Sequence, residues 1–306
     1  MPRVPTVTEG RLRATHRALM ETTGELDPLL AAFISEQWTT SLRVPLFYTT
    51  VRSSWLAEQY RAGVNKIWQL LRRLNDKLPG YTVRPAPLPN VRFGSPYFPR
   101  LDVLKNALAK IDSLIERAPE AEARHNARLL KLLYGLSLFC GLRISEAGGL
   151  RALQIDLTEP EDREGISWLT LPETRGNRWT TAARILPLPT YLQPLMRQLL
   201  SDECEGPAFY FLVQGRRIPA TAKAIRDQLD QIGVPFPRWH AGRHFVRTLM
   251  LECGLNFDDA NAIIGHQSAG RELHNPYSPQ VMENVWSAYL TFTHHIAALI
   301  GWKVTT

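Results

Sequence analysis

Cysteine is scarce. The 306 residues contain three, Cys140, Cys204 and Cys253, odd in number and far apart. That pattern excludes a disulfide framework and any cysteine-based zinc site, and it fits a reducing compartment. Long apolar runs are missing too. The stretch near Leu129–Cys140 is among the longest, well short of the roughly 20 residues a membrane span needs. The opening segment MPRVPTVTEGRLRATHR has no apolar core of the signal-peptide kind. The expectation is therefore a cytoplasmic protein with no membrane partner. Neither Gly-rich phosphate-loop pattern occurs, which argues against a nucleoside triphosphatase or a dinucleotide enzyme, and no cofactor or metal is expected. What is present is ordinary globular composition, 44% hydrophobic and 21% charged, over a length that suits two or three domains.

Acidic residues are sparse only at the start. Residues 1–100 carry fourteen cations against seven acids, while residues 101–306 carry twenty-two of each. The whole net charge of +7 thus lies in the first third. Such asymmetry suggests a surface for a polyanion, most simply a nucleic-acid backbone. Arginine outnumbers lysine 29 to 7, and its planar fork suits bidentate phosphate contacts.

Five prolines fall between Pro85 and Pro99, a density that prevents helix and favours an extended connector. The boundary belongs there: a basic helical domain over 1–98, with a Pro-rich linker at about 82–99, then a second domain over 99–306. Before the linker, apolar residues from Leu56 through Tyr60, Val64, Ile67 and Leu71 to Leu74 mark one face of a helix over Trp55–Leu78, and Thr23–Trp38 reads as another. After it, helices are expected over Leu101–Glu116 and Ala121–Cys140, with Gly141 as a break and a further start near Ser145. Gly165–Leu171 and Thr180–Leu188 read as a hairpin about a turn at Gly176-Asn177. The remainder returns to helix over Tyr191–Leu200, Ala220–Ile232, Arg243–Cys253, Phe257–Ile264 and Gln280–Ile300. The expected class is mainly α: a small helical domain, then a mostly helical one with a small antiparallel sheet.

Four segments place polar residues where packing does not require them. In GLRISE, Arg143 sits among Leu142, Ile144 and Leu150, so it needs a partner, and Glu146 is three residues away. Taken alone, the two make an internal salt bridge. In HAGRHF, His240 and Arg243 are three apart, neighbours on one helix face, able to clamp one phosphate or simply to solvate a helix start. His266 stands just past Gly265, and Tyr277 lies in a loop between two prolines. Either is commonplace singly.

Their order and spacing resemble the tyrosine recombinase family, of the phage-integrase type, over about residues 100–290. The segment HAGRHFVRTLMLECGLNFDDANAIIGHQS carries much of the likeness, and the hairpin lies where that family keeps it. The resemblance implies a catalytic domain of that fold and a DNA strand-transferase that performs site-specific recombination on double-stranded DNA. Arg143 and Arg243 would grip the non-bridging oxygens of the scissile phosphate. His240 would act as general acid/base, His266 as a further donor, and Glu146 would orient Arg143. Tyr277 would attack phosphorus, giving a 3′-phosphotyrosyl link and a free 5′-hydroxyl, with no ATP or metal. The family works as four protomers on two duplexes and belongs to mobile elements, so a homo-tetramer on DNA is expected. The final helix could dock on a neighbour or close its own core.

One position departs from the family. Its hairpin usually presents a lysine to the leaving 5′-oxygen, and here the matching residue is Arg175, with Arg178 as the choice if the register shifts. Arginine does not readily release a proton. That leaves two other readings open: a DNA-binding relative with little or no turnover, and a type IB topoisomerase or hairpin resolvase using the same residues. Tyr289 competes with Tyr277 as nucleophile, yet it falls on a helix core stripe with Val285, Phe292 and Ile296.

Overall fold

The computed structural model describes residues 8–35, 49–80, 91–95, 98–157, 167–171, 184–203, 206–234, 241–265 and 282–304. The chain divides into two compact units, Met1–Pro96 and Tyr97–Thr306.

The first unit opens with α1 (Glu9–Thr22), capped by the Thr8 side chain, which accepts a hydrogen bond from the Arg11 amide. α2 (Pro28–Ser35) starts with proline in its first turn, and the Asp27 carboxylate accepts from the Leu29 amide. The single helix expected from Thr23 therefore begins later. Thr23 and Gly24 close α1, and Glu25 takes a left-handed φ of 53°. Gly24 has a packing reason as well: a Cβ there would lie 2.7 Å from the Met20 carbonyl oxygen. α3 (Ser53–Leu74) follows β1 (Thr50–Arg52), which pairs antiparallel with β2 (Arg92–Gly94). Tyr60, Val64 and Ile67 pack on a core of Met20, Leu26, Leu30, Ala31 and Val51. The stripe read along α3 thus forms its inner face, although Leu74 at its end is 76% exposed.

The second unit is built around α5 (Ala121–Cys140), which lies against α4 (Leu101–Arg117). From Leu129 to Cys140, α5 is buried at every position but Ser137. A short helix α6 (Ile144–Gly148) leads to a three-stranded antiparallel sheet of β3 (Ile155–Asp156), β4 (Trp168–Leu171) and β5 (Arg184–Pro187). Leu169 and Leu186 are register partners and both are buried. After α7 (Gln193–Leu199) comes a second hairpin, β6 (Tyr210–Val213) and β7 (Arg216–Pro219), which the sequence reading missed. Its turn is Gln214-Gly215, with both residues at positive φ, and its outer strand is wholly exposed, so neither an Asn-Gly signal nor apolar alternation marks it. The hairpin is held by α5: the Glu122 carboxylate accepts from the amides of Gln214 and Gly215, each at 3.0 Å.

The remaining helices are α8 (Ala222–Gln231), α9 (Ala241–Glu252), α10 (Phe257–Ile264) and α11 (Met282–Ile300). α9 is buried from Ala241 to Leu251. α11 closes the core of its own unit. Tyr289, Phe292, Ile296 and Ile300 are buried, and Trp302 packs so tightly on Gly135 that a Cβ there would lie 2.8 Å from its ring. Lys131, 1% exposed, ties the chain end down by bonding the Asp112 carboxylate and the Lys303 carbonyl, with its Nζ 5.1 Å from the Trp302 ring centroid. The protein is thus mainly α with small antiparallel sheets. Among the described residues no helix is long and apolar enough to cross a membrane.

Candidate active site

The site is built at the C-terminal end of α5. The helix stops because Gly141 adopts a left-handed conformation with φ 62°, which a side chain would strain. The turn sends Leu142 into the core and brings Arg143 to the head of α6. There the Arg143 carbonyl accepts from the amides of Glu146 and Ala147. The Glu146 carboxylate reaches back to the Arg143 amide at 2.7 Å, the reciprocal arm of a capping box. Its other oxygen pairs with Arg143 Nη1 at 2.5 Å.

A second guanidinium arrives from a hundred residues away. Arg243 lies in the first turn of α9 and is 4% exposed. Its Nη2 stands 3.3 Å from Glu146 Oε2, and its Nε donates to the Gly141 carbonyl at 3.2 Å. The approach depends on Gly242, where a Cβ would lie 2.0 Å from Ser137 Oγ and 2.5 Å from the Ser137 carbonyl oxygen. No other residue lets the start of α9 sit so close to α5. The Gly141 carbonyl is at the negative end of the α5 dipole, a favourable place for a cation.

Two guanidinium groups therefore share one carboxylate and one helix terminus. Their relative placement is set by backbone and burial, with Arg143 and Glu146 side chains 19% and 14% exposed. Such an arrangement offers fixed donors to an oxyanion and needs no reorganisation when charge grows on it. Of the sequence-selected residues, the structure brings together Arg143, Glu146 and Arg243. His240, His266, Tyr277, Arg175 and Arg178 lie outside the described residues. Their flanking elements are in view: His240 immediately precedes α9, and His266 follows α10, whose last turn ends at Gly265 with φ 74°.

Two further polar residues of α9, His244 and Arg247, are fully buried. Arg247 bonds the Phe257 carbonyl and lies 5.0 Å from the Phe257 ring centroid, so it couples α9 to α10. The Gly141 break is legible in the residues, but the Gly141 carbonyl as a ligand of Arg243 carries no sequence signal, because a backbone acceptor has no residue type. Tyr289 is buried, and its hydroxyl donates to the Phe139 carbonyl at 3.2 Å. Among the described residues no group of His, Cys, Asp and Glu could hold a metal ion.

No protein-family model matches the chain. A curated protein described as "Tyrosine recombinase XerC-like", from Caldanaerobacter subterraneus subsp. tengcongensis, is 27% identical over 186 residues, 51% of this chain and 46% of that protein. The match thus spans about half the length of that relative. Two solved structures of the XerH site-specific recombinase are similar at low identity. The pre-cleavage complex with difH substrate is 15% identical, over 76% of this chain and 64% of that one, with a TM-score of 0.36. The post-cleavage complex with palindromic difH is 14% identical, over 89% and 76%, also with a TM-score of 0.36. Over those 186 residues the chain is thus similar in sequence to a curated protein described as tyrosine recombinase XerC-like.

Proposed function

We propose that the protein is a site-specific DNA recombinase that cleaves and rejoins strands through a 3′-phosphotyrosyl intermediate. The observation that carries this reading is the convergence of Arg143 and Arg243 on Glu146, with Arg243 also bonded to the Gly141 carbonyl. Two fixed guanidinium groups, Arg243 buried and Arg143 partly so, suit a phosphodiester whose non-bridging oxygens gain charge as phosphorus becomes five-coordinate. Glu146 keeps the two arginines in register. The Tyr277 oxygen attacks phosphorus and gives up its proton to a base. A P–O bond forms to the phenol, the bond to the 5′-oxygen breaks, and that oxygen leaves as a hydroxyl once protonated. His240 acts as acid or base and His266 donates a hydrogen bond to the phosphoryl group. The covalent link conserves the phosphodiester energy, so rejoining is the reverse attack by a 5′-hydroxyl and needs no ATP or metal.

The first domain, over 1–98, is read as a basic DNA-binding domain joined by the Pro-rich linker to the catalytic domain over 99–306. The support is its charge, thirteen cations against seven acids in the unit Met1–Pro96. Double-stranded DNA is the partner, a homo-tetramer on DNA the working form, and the cytoplasm the compartment. The family name of the curated relative supports the reaction class.

The test is trapping on a nicked target, with DNA from the flanks of the protein's own coding region. A covalent protein–DNA adduct is expected, and Tyr277→Phe abolishes it. An adduct that persists in Tyr277→Phe overturns the choice of nucleophile. DNA binding with no adduct favours the second reading, a binding relative without turnover, which the arginine at position 175 in place of lysine motivates. Relaxation of supercoiled plasmid lacking target sites moves the reading to a topoisomerase.

A further inference from the structure

The last four carbonyls of a helix have no partner one turn further on. At the end of α5, remote side chains take up two of the terminal carbonyls. The Gly141 carbonyl accepts from Arg243 Nε, and the Phe139 carbonyl, two residues earlier, accepts from the Tyr289 hydroxyl. That hydroxyl also lies 3.4 Å from Cys140 Sγ. Tyr289 belongs to α11, the helix that follows the segment bearing Tyr277. It is fully buried on a stripe with Val285, Phe292 and Ile296. Buried Thr293, by contrast, bonds its own helix at the Leu290 carbonyl. Phenylalanine would fill the Tyr289 space; the hydroxyl adds a directional bond to the backbone that anchors the arginines.

We propose that Tyr289 is a positioning residue for strand cleavage: its hydroxyl pins the terminal turn of α5, and through the Gly141 carbonyl it sets the placement of Arg243 beside Arg143. This rests on the function proposed above. Removing the hydroxyl leaves the Phe139 carbonyl buried without that donor, and the turn shifts to find another. The carbonyl two residues on moves with it, and Arg243 loses its fixed orientation. In this role Tyr289 acts through the turn, at the Phe139 carbonyl, and not on the phosphate itself.

The test compares Tyr289→Phe with Ile296→Val, a change on the same helix that trims the core without touching a carbonyl. In ¹⁵N-labelled protein, the Arg243 Nε proton and the Leu142 amide are expected to exchange roughly fivefold faster in Tyr289→Phe, the loss of one net hydrogen bond. In Ile296→Val they keep the wild-type rate. On nicked DNA, Tyr289→Phe slows adduct formation by a similar factor with DNA affinity unchanged. Equal exchange in Tyr289→Phe and wild type overturns the proposal, as does equal acceleration in both variants. In the wild type, the Tyr289 hydroxyl proton and the Arg243 Nε proton share one opening rate, and unequal rates overturn the proposal even if Tyr289→Phe does not fold. Accelerated exchange in Tyr289→Phe with no adduct from the wild type sinks the functional reading and leaves the positioning intact.

Discussion

The two units use charge in opposite ways. Among the described residues of Met1–Pro96 the cations lie outside the apolar cluster of Met20, Leu26, Leu30, Ala31 and Val51, and the ion pairs are at the surface or only half-buried, such as Arg13–Glu9 and Lys66–Glu25. In Tyr97–Thr306 several charges are placed inside a far larger core, each with a partner: Lys131 with Asp112, Arg143 and Arg243 with Glu146, Arg247 with the Phe257 carbonyl. A solvated cation costs little and finds a polyanion over long range, but it has no defined orientation. A buried one costs several kcal/mol to desolvate and is held to a fraction of an ångström. On the function proposed above, attraction to DNA asks for the first kind of charge and transition-state chemistry for the second.

The contrast breaks most sharply at Lys131. Lys131→Ala leaves the Asp112 carboxylate buried without its cation, and a loss of about 4 kcal/mol is expected in denaturant unfolding of the second unit. A loss under about 1 kcal/mol would mean that this core treats its charges as a surface does. Next is Leu30→Ala in the small core, with an expected cost of about 3 kcal/mol. Because so few residues share that core, calorimetry should show one transition moving down while the transition of the second unit stays in place. A common shift of both would show that the units do not unfold separately. Glu146→Gln keeps the size of the side chain and removes the charge both guanidinium groups face. We expect about 2 kcal/mol of destabilisation and, on nicked DNA, loss of adduct beyond what that destabilisation explains. The smallest effect belongs to Arg13→Ala, whose pair with Glu9 is exposed at both ends. Its unfolding midpoint should move by less than about 0.5 kcal/mol, and any DNA affinity it supports should fall more at low salt than at high salt.

Helix periodicity was readable where one face is buried and the ends are punctuated. Ala121–Cys140 and Phe257–Ile264 have the limits read from the residues, because glycine in a left-handed conformation ends each of them. The Thr23–Trp38 reading overran its start because Glu25 occupies the left-handed region without being glycine, which leaves no mark in the residue pattern. The hairpin over Tyr210–Pro219 escaped for a related reason: its stability comes from Glu122 and Asn126 on α5, about ninety residues earlier in the chain.

Local chemistry, written in residue types, determined the helical class, the charge asymmetry, the Gly141 break and the pairing of Arg143 with Glu146 three residues on. Tertiary structure alone decided that Arg243 joins that pair, that Gly242 must lack a side chain where α9 meets Ser137, and that α11, with Tyr289, and the Trp302 that follows it seal the core of their own unit. The physical reason is range. Propensity, capping and i to i+3 pairs act within a turn or two of the chain. A contact between residues a hundred apart exists only once close packing has chosen which surfaces meet.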